Sequence, residues 1–206
     1  MAESNPTESA LLASKICNQI SSVFSTKSPN PAALDVLVQE IADAANRNGR
    51  VFLYGVGREG LMLKALSMRL FHLGLSAHCV FDMNTPPIGP SDLLISSAGP
   101  GGFSTVDAIS GVAKSSGARV LLVTAQPDSG SSMKYASAVA YIPAQTMADD
   151  NAGDGEKERP LLPMGSVYEG AMFVLFEMVV FKLGEILKQS PEAVRARHTN
   201  LENDTH

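Results

Sequence analysis

The segment from Val51 to Gly74 restricts the fold of this chain more than any other. Its first residues, through Tyr54, form an apolar run that is too short for a helix and therefore predicts a buried strand. The run breaks at a turn that begins with Gly55, and apolar residues then recur at the spacing of a helix. These residues are Leu61, Ala65, Met68 and Phe71. A buried strand that passes through a glycine turn into a helix predicts an α/β fold.

The turn from Gly55 to Gly60 also predicts a place where an anion can bind. Glycine permits a tight backbone path, and the first turn of the helix offers free N–H groups beside the positive end of the helix dipole. Arg58 lies in this first turn, where a cation opposes the dipole. A bound phosphate or carboxylate would explain the arginine, and an ordinary surface position would explain it as well.

The same strand-and-turn pattern recurs along the chain. We expect strands at Val51–Tyr54, Ala77–Phe81, Asp92–Ser97, Arg119–Thr124 and Ala138–Ile142. Besides the helix up to Gly74, we expect helices at Glu8–Val23, Pro31–Arg47 with Asn30 as its N-cap, Ser104–Ser116, Ser166–Leu187, and a short one from Pro191. Apolar strands that alternate with helices predict a parallel sheet covered on both faces by right-handed crossovers. Ligands of such sheets bind at the carboxyl ends of the strands.

Composition argues against several classes of protein. The chain of 206 residues is long enough for one domain, and its formal charge of −5 without a long basic run argues against nucleic-acid binding. Cys17 and Cys79 belong to no cluster typical of a metal site, so we expect reduced thiols and no metal. Charged residues interrupt the apolar segment Ala171–Leu187, which predicts a buried helix and no membrane partner. The polar start of the chain lacks the pattern of a secretory signal, which favours a cytoplasmic protein.

Two segments carry expectations about motion and assembly. Met147–Leu162 is acidic and contains glycine, which predicts a mobile loop without a core of its own. The helix from Ser166 is apolar on nearly all sides, more than one face of a sheet requires. We therefore expect part of its surface to contact another subunit.

The run from Gly55 to Gly60 also satisfies the dinucleotide-binding pattern G-x-G-x-x-G, and Asp82 follows the next strand where a ribose ligand is expected. This alternative predicts a nicotinamide cofactor. Three observations argue against it: the chain has no room for a separate substrate domain, two helices precede the first strand, and no set of residues suited to hydride transfer is evident.

A series of motifs points to a family. In chain order they are GVGREG, MRLFHLG, NTPPIGPSDLLI, AQPDS, PMGSVYE and RHTNLE, and together they resemble the sugar isomerase (SIS) family, most closely its 6-phospho-3-hexuloisomerase branch. The resemblance implies a three-layer α/β domain with a five-stranded parallel sheet at residues 31–190, preceded by a helical segment at 1–30 and followed by a helix and tail at 191–206. It also implies interconversion of 3-hexulose 6-phosphate and fructose 6-phosphate without cofactor or metal, in a homotetramer.

Moving a carbonyl group along a sugar requires a base at carbon, an enediol intermediate and a group that shuttles protons between oxygens. By resemblance, the catalytic residues are Glu169, His72 and His198. The substrate-binding residues are Gly55, Gly57, Arg58, Glu59, Gly60, Thr85, Gly99, Gly101, Ser104, Thr105 and Thr124. Each catalytic residue has a structural alternative: Ser166 and Glu169 fit a capping box, His72 fits the end of a helix, and His198 fits a solvated tail.

The chain departs from the family at its phosphate-binding loops. Glu59 stands where a serine is usual, Ala98–Phe103 replaces a Ser-Gly-Ser-Gly-Glu-Thr run, and Ala125 replaces a third-loop serine. Glu59 would either repel a phosphate or occupy the anion site with its own carboxylate. Two functions therefore remain. One is a cofactor-independent isomerase of a ketose phosphate, and the other is a non-catalytic SIS module that binds a sugar phosphate or a related carbohydrate derivative.

Overall fold

The computed structural model describes residues 7–149 and 161–201 of the chain. Five strands form one sheet, and every neighbouring pair is parallel. They are β1 (Val51–Tyr54), β2 (Ala77–Cys79), β3 (Leu93–Ser97), β4 (Arg119–Thr124) and β5 (Ala138–Tyr141), in the order β2-β1-β3-β4-β5. The prediction of an α/β fold with a five-stranded parallel sheet is confirmed.

Helices cover both faces of the sheet. They are α1 (Glu8–Val23), α2 (Ala33–Asn46), α3 (Gly57–His72), α4 (Ser104–Ser115), a 3-10 helix (Ser131–Tyr135), α5 (Ser166–Ile186) and α6 (Pro191–Ala196). Helices α2, α3 and α5 pack against the face that presents Leu53 and Ile95. Helix α4 covers the other face, which presents Phe52 and Leu94. Side chains of successive strand residues point to opposite faces, so each strand supplies both halves of the core.

Some element boundaries and faces differ from the predictions. Helix α2 begins at Ala33 with Ala32 as its N-cap, so Asn30 lies too early in the chain to cap it. Strand β2 ends at Cys79, because Phe81 adopts a left-handed φ of 75° that turns the chain away from the sheet.

Helix α3 packs with a face that the sequence pattern did not single out. Its inner row is Leu63, Leu66 and Leu70, all fully buried, whereas Leu61, Met68 and Phe71 are more than half exposed. The helix therefore has two apolar rows, and the outer row has no partner within the described part of this chain.

Asp92 fixes the amino end of the sheet. Its carboxylate is 1% exposed and accepts hydrogen bonds from the backbone N–H groups of Arg50 and Gly89, both at 2.8 Å. The Arg50 guanidinium adds two more bonds, the shorter at 2.8 Å. These contacts tie the start of β1 to the start of β3 and to the loop before it.

We expect Asp92→Ala to destabilise the protein by about 3 kcal/mol, because it leaves a half-buried guanidinium and two backbone donors without their acceptor. Burial opposes ionisation of Asp92, but the bonds from Arg50 and Gly89 outweigh it and hold the pKa of this carboxyl below its ordinary value. The stabilisation is therefore present at neutral pH and is lost as the pH falls through the pKa of the folded protein. Urea unfolding at pH 7 and at a pH well below 3.8, the ordinary pKa of an aspartate, measures both effects. Exposed Asp128→Ala serves as the control and should change stability by less than about 0.5 kcal/mol.

Within residues 7–149 and 161–201, none of the helices is long and apolar enough to cross a membrane. No group of three or more His, Cys, Asp and Glu side chains in the same residues could hold a metal ion. Most of the segment predicted as a mobile loop, residues 150–160, lies outside the described residues.

Candidate active site

The strand order places a crevice between the carboxyl ends of β1 and β3, where the chain leaves the sheet in opposite directions. The turn after β1 requires glycine at position 60, since a Cβ atom on Gly60 would lie 2.5 Å from the Gly55 carbonyl oxygen. In the loop after β3, Gly101 adopts a φ of 96° and packs against the backbone of Gly130. Both loops therefore keep a close backbone path at the crevice.

Arg58 and Glu169 join the first turns of α3 and α5 beside this crevice. Glu169 Oε2 lies 2.7 Å from Arg58 Nη2, and the Arg58 guanidinium also donates to the Ser166 hydroxyl and the Met164 carbonyl. These contacts give Arg58 a reason to occupy the start of a helix without any bound ligand. They also hold the Glu169 carboxylate at the helix start.

The capping box that the sequence allowed at Ser166 is not formed. Gly165, with a φ of 80°, is the N-cap, and Ser166 is already the first residue of α5. The Ser166 hydroxyl donates to the Pro163 carbonyl, while the Glu169 side chain pairs with Arg58. The structural alternative for Glu169 therefore does not account for its side-chain position.

The environment of Glu169 suits a proton acceptor. Burial raises the pKa of the Glu169 carboxyl above its ordinary value, and the Arg58 charge partly opposes this shift. Oε2 is shielded from solvent and lies against the Arg58 guanidinium. A carboxylate with a raised pKa is a stronger base than one in water.

A second carboxylate, that of Glu59, lies in a buried network beside Glu169. Its side chain is 7% exposed, and it accepts hydrogen bonds from the Ser97 hydroxyl at 2.5 Å and the Gly99 N–H group at 3.0 Å. The Tyr168 hydroxyl lies 3.2 Å from Ser97 Oγ. The sequence left two roles open for Glu59, repulsion of a phosphate or occupation of the anion site. The geometry matches the second, because the carboxylate occupies the Gly99 N–H group in the loop after β3.

Burial perturbs this network strongly. It raises the pKa of Glu59, and the nearby Glu169 raises it further, while the bonds from Ser97 and Gly99 lower it in part. Burial also raises the pKa of Tyr168, so the Tyr168 hydroxyl remains protonated at neutral pH. Sequence reasoning missed Ser97 and Tyr168. The one available signal was their position, at the end of β3 and directly before Glu169.

His72 and His198 come together, but far from Glu169. Their ring centroids are 5.6 Å apart, and the Arg197 guanidinium donates to the His72 carbonyl. His72 is the last residue of α3, a helix of 16 residues, so it lies about 22 Å from the helix start. Burial lowers the pKa of His72, and the neighbouring His198 and Arg69 lower it further. One copy of the chain thus presents its two histidines at the opposite edge of the sheet from Glu169.

The remaining predicted residues fall into three groups. Thr124 is fully buried and is used internally, donating to the Gly99 carbonyl and accepting from the Gln126 N–H group. Ser104 and Thr105 are exposed in the first turn of α4. Thr85 closes the turn after β2 through bonds to the Cys79 and Asp82 carbonyls and lines a separate cavity of about 560 Å³.

No profile of a known protein family matches the sequence. Individual proteins are similar to it. The chain is 36% identical over 173 residues to a 3-hexulose-6-phosphate isomerase of Mycobacterium gastri, and the alignment covers 84% of this chain and 82% of the relative. It is 32% identical to a 3-hexulose-6-phosphate isomerase of Bacillus subtilis, over 79% of this chain and 85% of the relative. A hypothetical protein of Methanococcus jannaschii shares the fold with a TM-score of 0.74 at 24% identity, over 92% of this chain and 98% of that protein.

Proposed function

The chain belongs to the sugar isomerase family, in the branch of the 3-hexulose-6-phosphate isomerases, and on this premise we propose that it interconverts 3-hexulose 6-phosphate and fructose 6-phosphate. The observation that carries the proposal is the identity of 36% over most of both chains. The position of Glu169 supports it, because the reaction needs a base beside the substrate and the Glu169 carboxylate lies beside the crevice.

In the proposed reaction, Glu169 removes a proton from the carbon beside the carbonyl group. The carbonyl oxygen gains a proton as the electrons form an enediol. The neighbouring hydroxyl group then gives up its proton to the shuttle, and return of the carbon-bound proton to the former carbonyl carbon completes the isomerisation. Arg58 holds the base in place through the ion pair at 2.7 Å. Arg58 and the Gly55–Gly60 amides also contribute contacts to the phosphate or to the hydroxyl groups of the sugar, and these remote contacts position the reacting carbons.

The proton shuttle at oxygen comes from a second copy of the chain. Within one chain, His72 and Glu169 lie at opposite edges of the sheet, so they cannot act on the same sugar. The outer faces of α3 and α5 are apolar, with Phe71, Phe173 and Phe181 each more than half exposed. Antiparallel packing of these faces about a two-fold axis would bring the His72 end of one copy to the Glu169 end of the other. A homotetramer, as the resemblance implies, would contain this pair.

We place the enzyme in the cytoplasm.

The test is carbon-bound deuterium exchange. Incubation of the protein with fructose 6-phosphate in D2O should introduce deuterium at the carbon that loses its proton, and NMR measures this directly. A panel of other ketose and aldose phosphates identifies the preferred sugar. Exchange with none of these sugars, together with saturable binding of one of them, would contradict the isomerase and favour the non-catalytic binding module.

A further inference from the structure

The proposed reaction does not use the most deeply buried acid at the crevice, Glu59. Two neutral donors contact its carboxylate, the Ser97 hydroxyl and the Gly99 N–H group, and the Tyr168 hydroxyl lies 3.2 Å from Ser97 Oγ. No cation contacts Glu59 among the described residues, because Arg58 on the same helix turn pairs with Glu169. Burying a carboxylate without a cation is costly, and a neutral side chain would join these elements at lower cost.

The loop after β3 is shaped around this carboxylate. A Cβ atom at Gly99 would lie 2.9 Å from a Tyr168 ring carbon and 3.1 Å from Glu59 Oε1. The loop therefore lies directly against both side chains, and the Gly99 N–H group points to Glu59. At the switch point of a parallel sheet, this backbone donor is where the anionic end of a ligand would otherwise bind.

We propose that Glu59 is a specificity-determining residue that acts as an internal anion: its carboxylate occupies the Gly99 N–H group and the Ser97 hydroxyl, and so excludes the phosphate of a bound sugar from the loop after β3. The identity of the excluded group as a sugar phosphate rests on the proposed function. The occupation of the Gly99 and Ser97 donors by Glu59 does not depend on the proposed function. The phosphate of a substrate must then be held by other groups at the crevice, such as Arg58.

Excision of the carboxylate tests the proposal. Glu59→Ser removes the carboxylate group and leaves the Ser97 hydroxyl and the Gly99 N–H group in place, so a small anion can enter. We expect formate, which matches the excised group, and sulfate to bind this variant at least about tenfold more tightly than they bind the wild-type protein. The rise in melting temperature with each anion, against chloride at equal ionic strength, measures binding without any turnover.

Two control variants distinguish the effect of the space that the Glu59 side chain fills from the effect of its negative charge. Glu59→Gln removes the charge but still fills the space, so its anion affinity should stay within about twofold of the wild-type value. Asp43→Asn makes the same change in net charge near the amino end of β1, at the opposite edge of the sheet, and should have no effect. An equal gain in Glu59→Gln and Glu59→Ser would show that charge alone matters and would overturn the proposal. No gain in Glu59→Ser would overturn it as well.

If Glu59→Ser does not fold by itself, its recovery on refolding decides the same question. Recovery in formate but not in chloride supports the proposal, and equal recovery, or none in either salt, contradicts it. The result is independent of catalysis. Anion rescue without deuterium exchange in any sugar would leave Glu59 as the internal anion and would remove only the isomerase function.

Discussion

Glu169→Gln is expected to reduce the rate of deuterium exchange into fructose 6-phosphate by about 10²–10⁴-fold, the range over which a positioned general base contributes to a rate. The amide has nearly the shape of the carboxylate but cannot accept the carbon-bound proton. Loss of the ion pair with Arg58 leaves α5 in place, because the helix is anchored by its buried row, which includes Leu175 and Val179. Burial raises the pKa of Glu169. As the pH is lowered, the wild-type rate should therefore begin to fall at a higher pH than it would with an ordinary glutamate as the base.

Asp43→Asn is the control for the loss of a carboxylate. Asp43 lies on α2, where its carboxylate accepts a hydrogen bond from the Gln39 amide, away from the crevice and from the outer faces of α3 and α5. This variant should keep the wild-type exchange rate. If Glu169→Gln, once shown to be folded, exchanged deuterium as fast as Asp43→Asn, another group would be the base and the proposed mechanism would be wrong.

A mixture of Glu169→Gln and His72→Gln proteins should regain activity that neither variant has alone. If Glu169 of one copy and His72 of another form one site, each mixed dimer contains one site with both residues intact and one with neither. Random exchange of subunits then restores about a quarter of the wild-type sites. Exchange of subunits after brief dilution, followed by the deuterium assay, measures the recovery.

Two observations would contradict the composite site. Recovery that stays at the background of the separate variants would show that both residues serve the same chain or that His72 has no part in the reaction. Full activity of His72→Gln alone would show the latter directly. A mixture of Glu169→Gln with the double variant of both residues controls for contamination, since none of its dimers contains an intact site.

Local patterns in the sequence were sufficient for the elements of the fold. The apolar runs that predicted β1 and β4 are strands with the predicted bounds, because a short apolar run flanked by glycines has few other low-energy structures. Boundaries that depend on a partner elsewhere were less accurate. Asn30 lies three residues before the start of α2 and does not cap it, and Ser166 starts α5 without forming the capping box that its spacing with Glu169 allows.

The sequence by itself determined the parallel α/β sheet, the two glycine loops at the crevice and, through its motifs, the family, while the catalytic role of Glu169 stays a prediction. Only the tertiary structure decided what each side chain contacts. Glu59 accepts its hydrogen bonds from Ser97 and Gly99, 38 and 40 residues away, and His72 meets His198 from the far end of the chain. Helical and strand spacing follow from the local backbone, but such pairings depend on how the elements pack. The same packing, rather than any motif, separates His72 from Glu169 by the length of a helix and makes a second copy of the chain necessary to the proposed site.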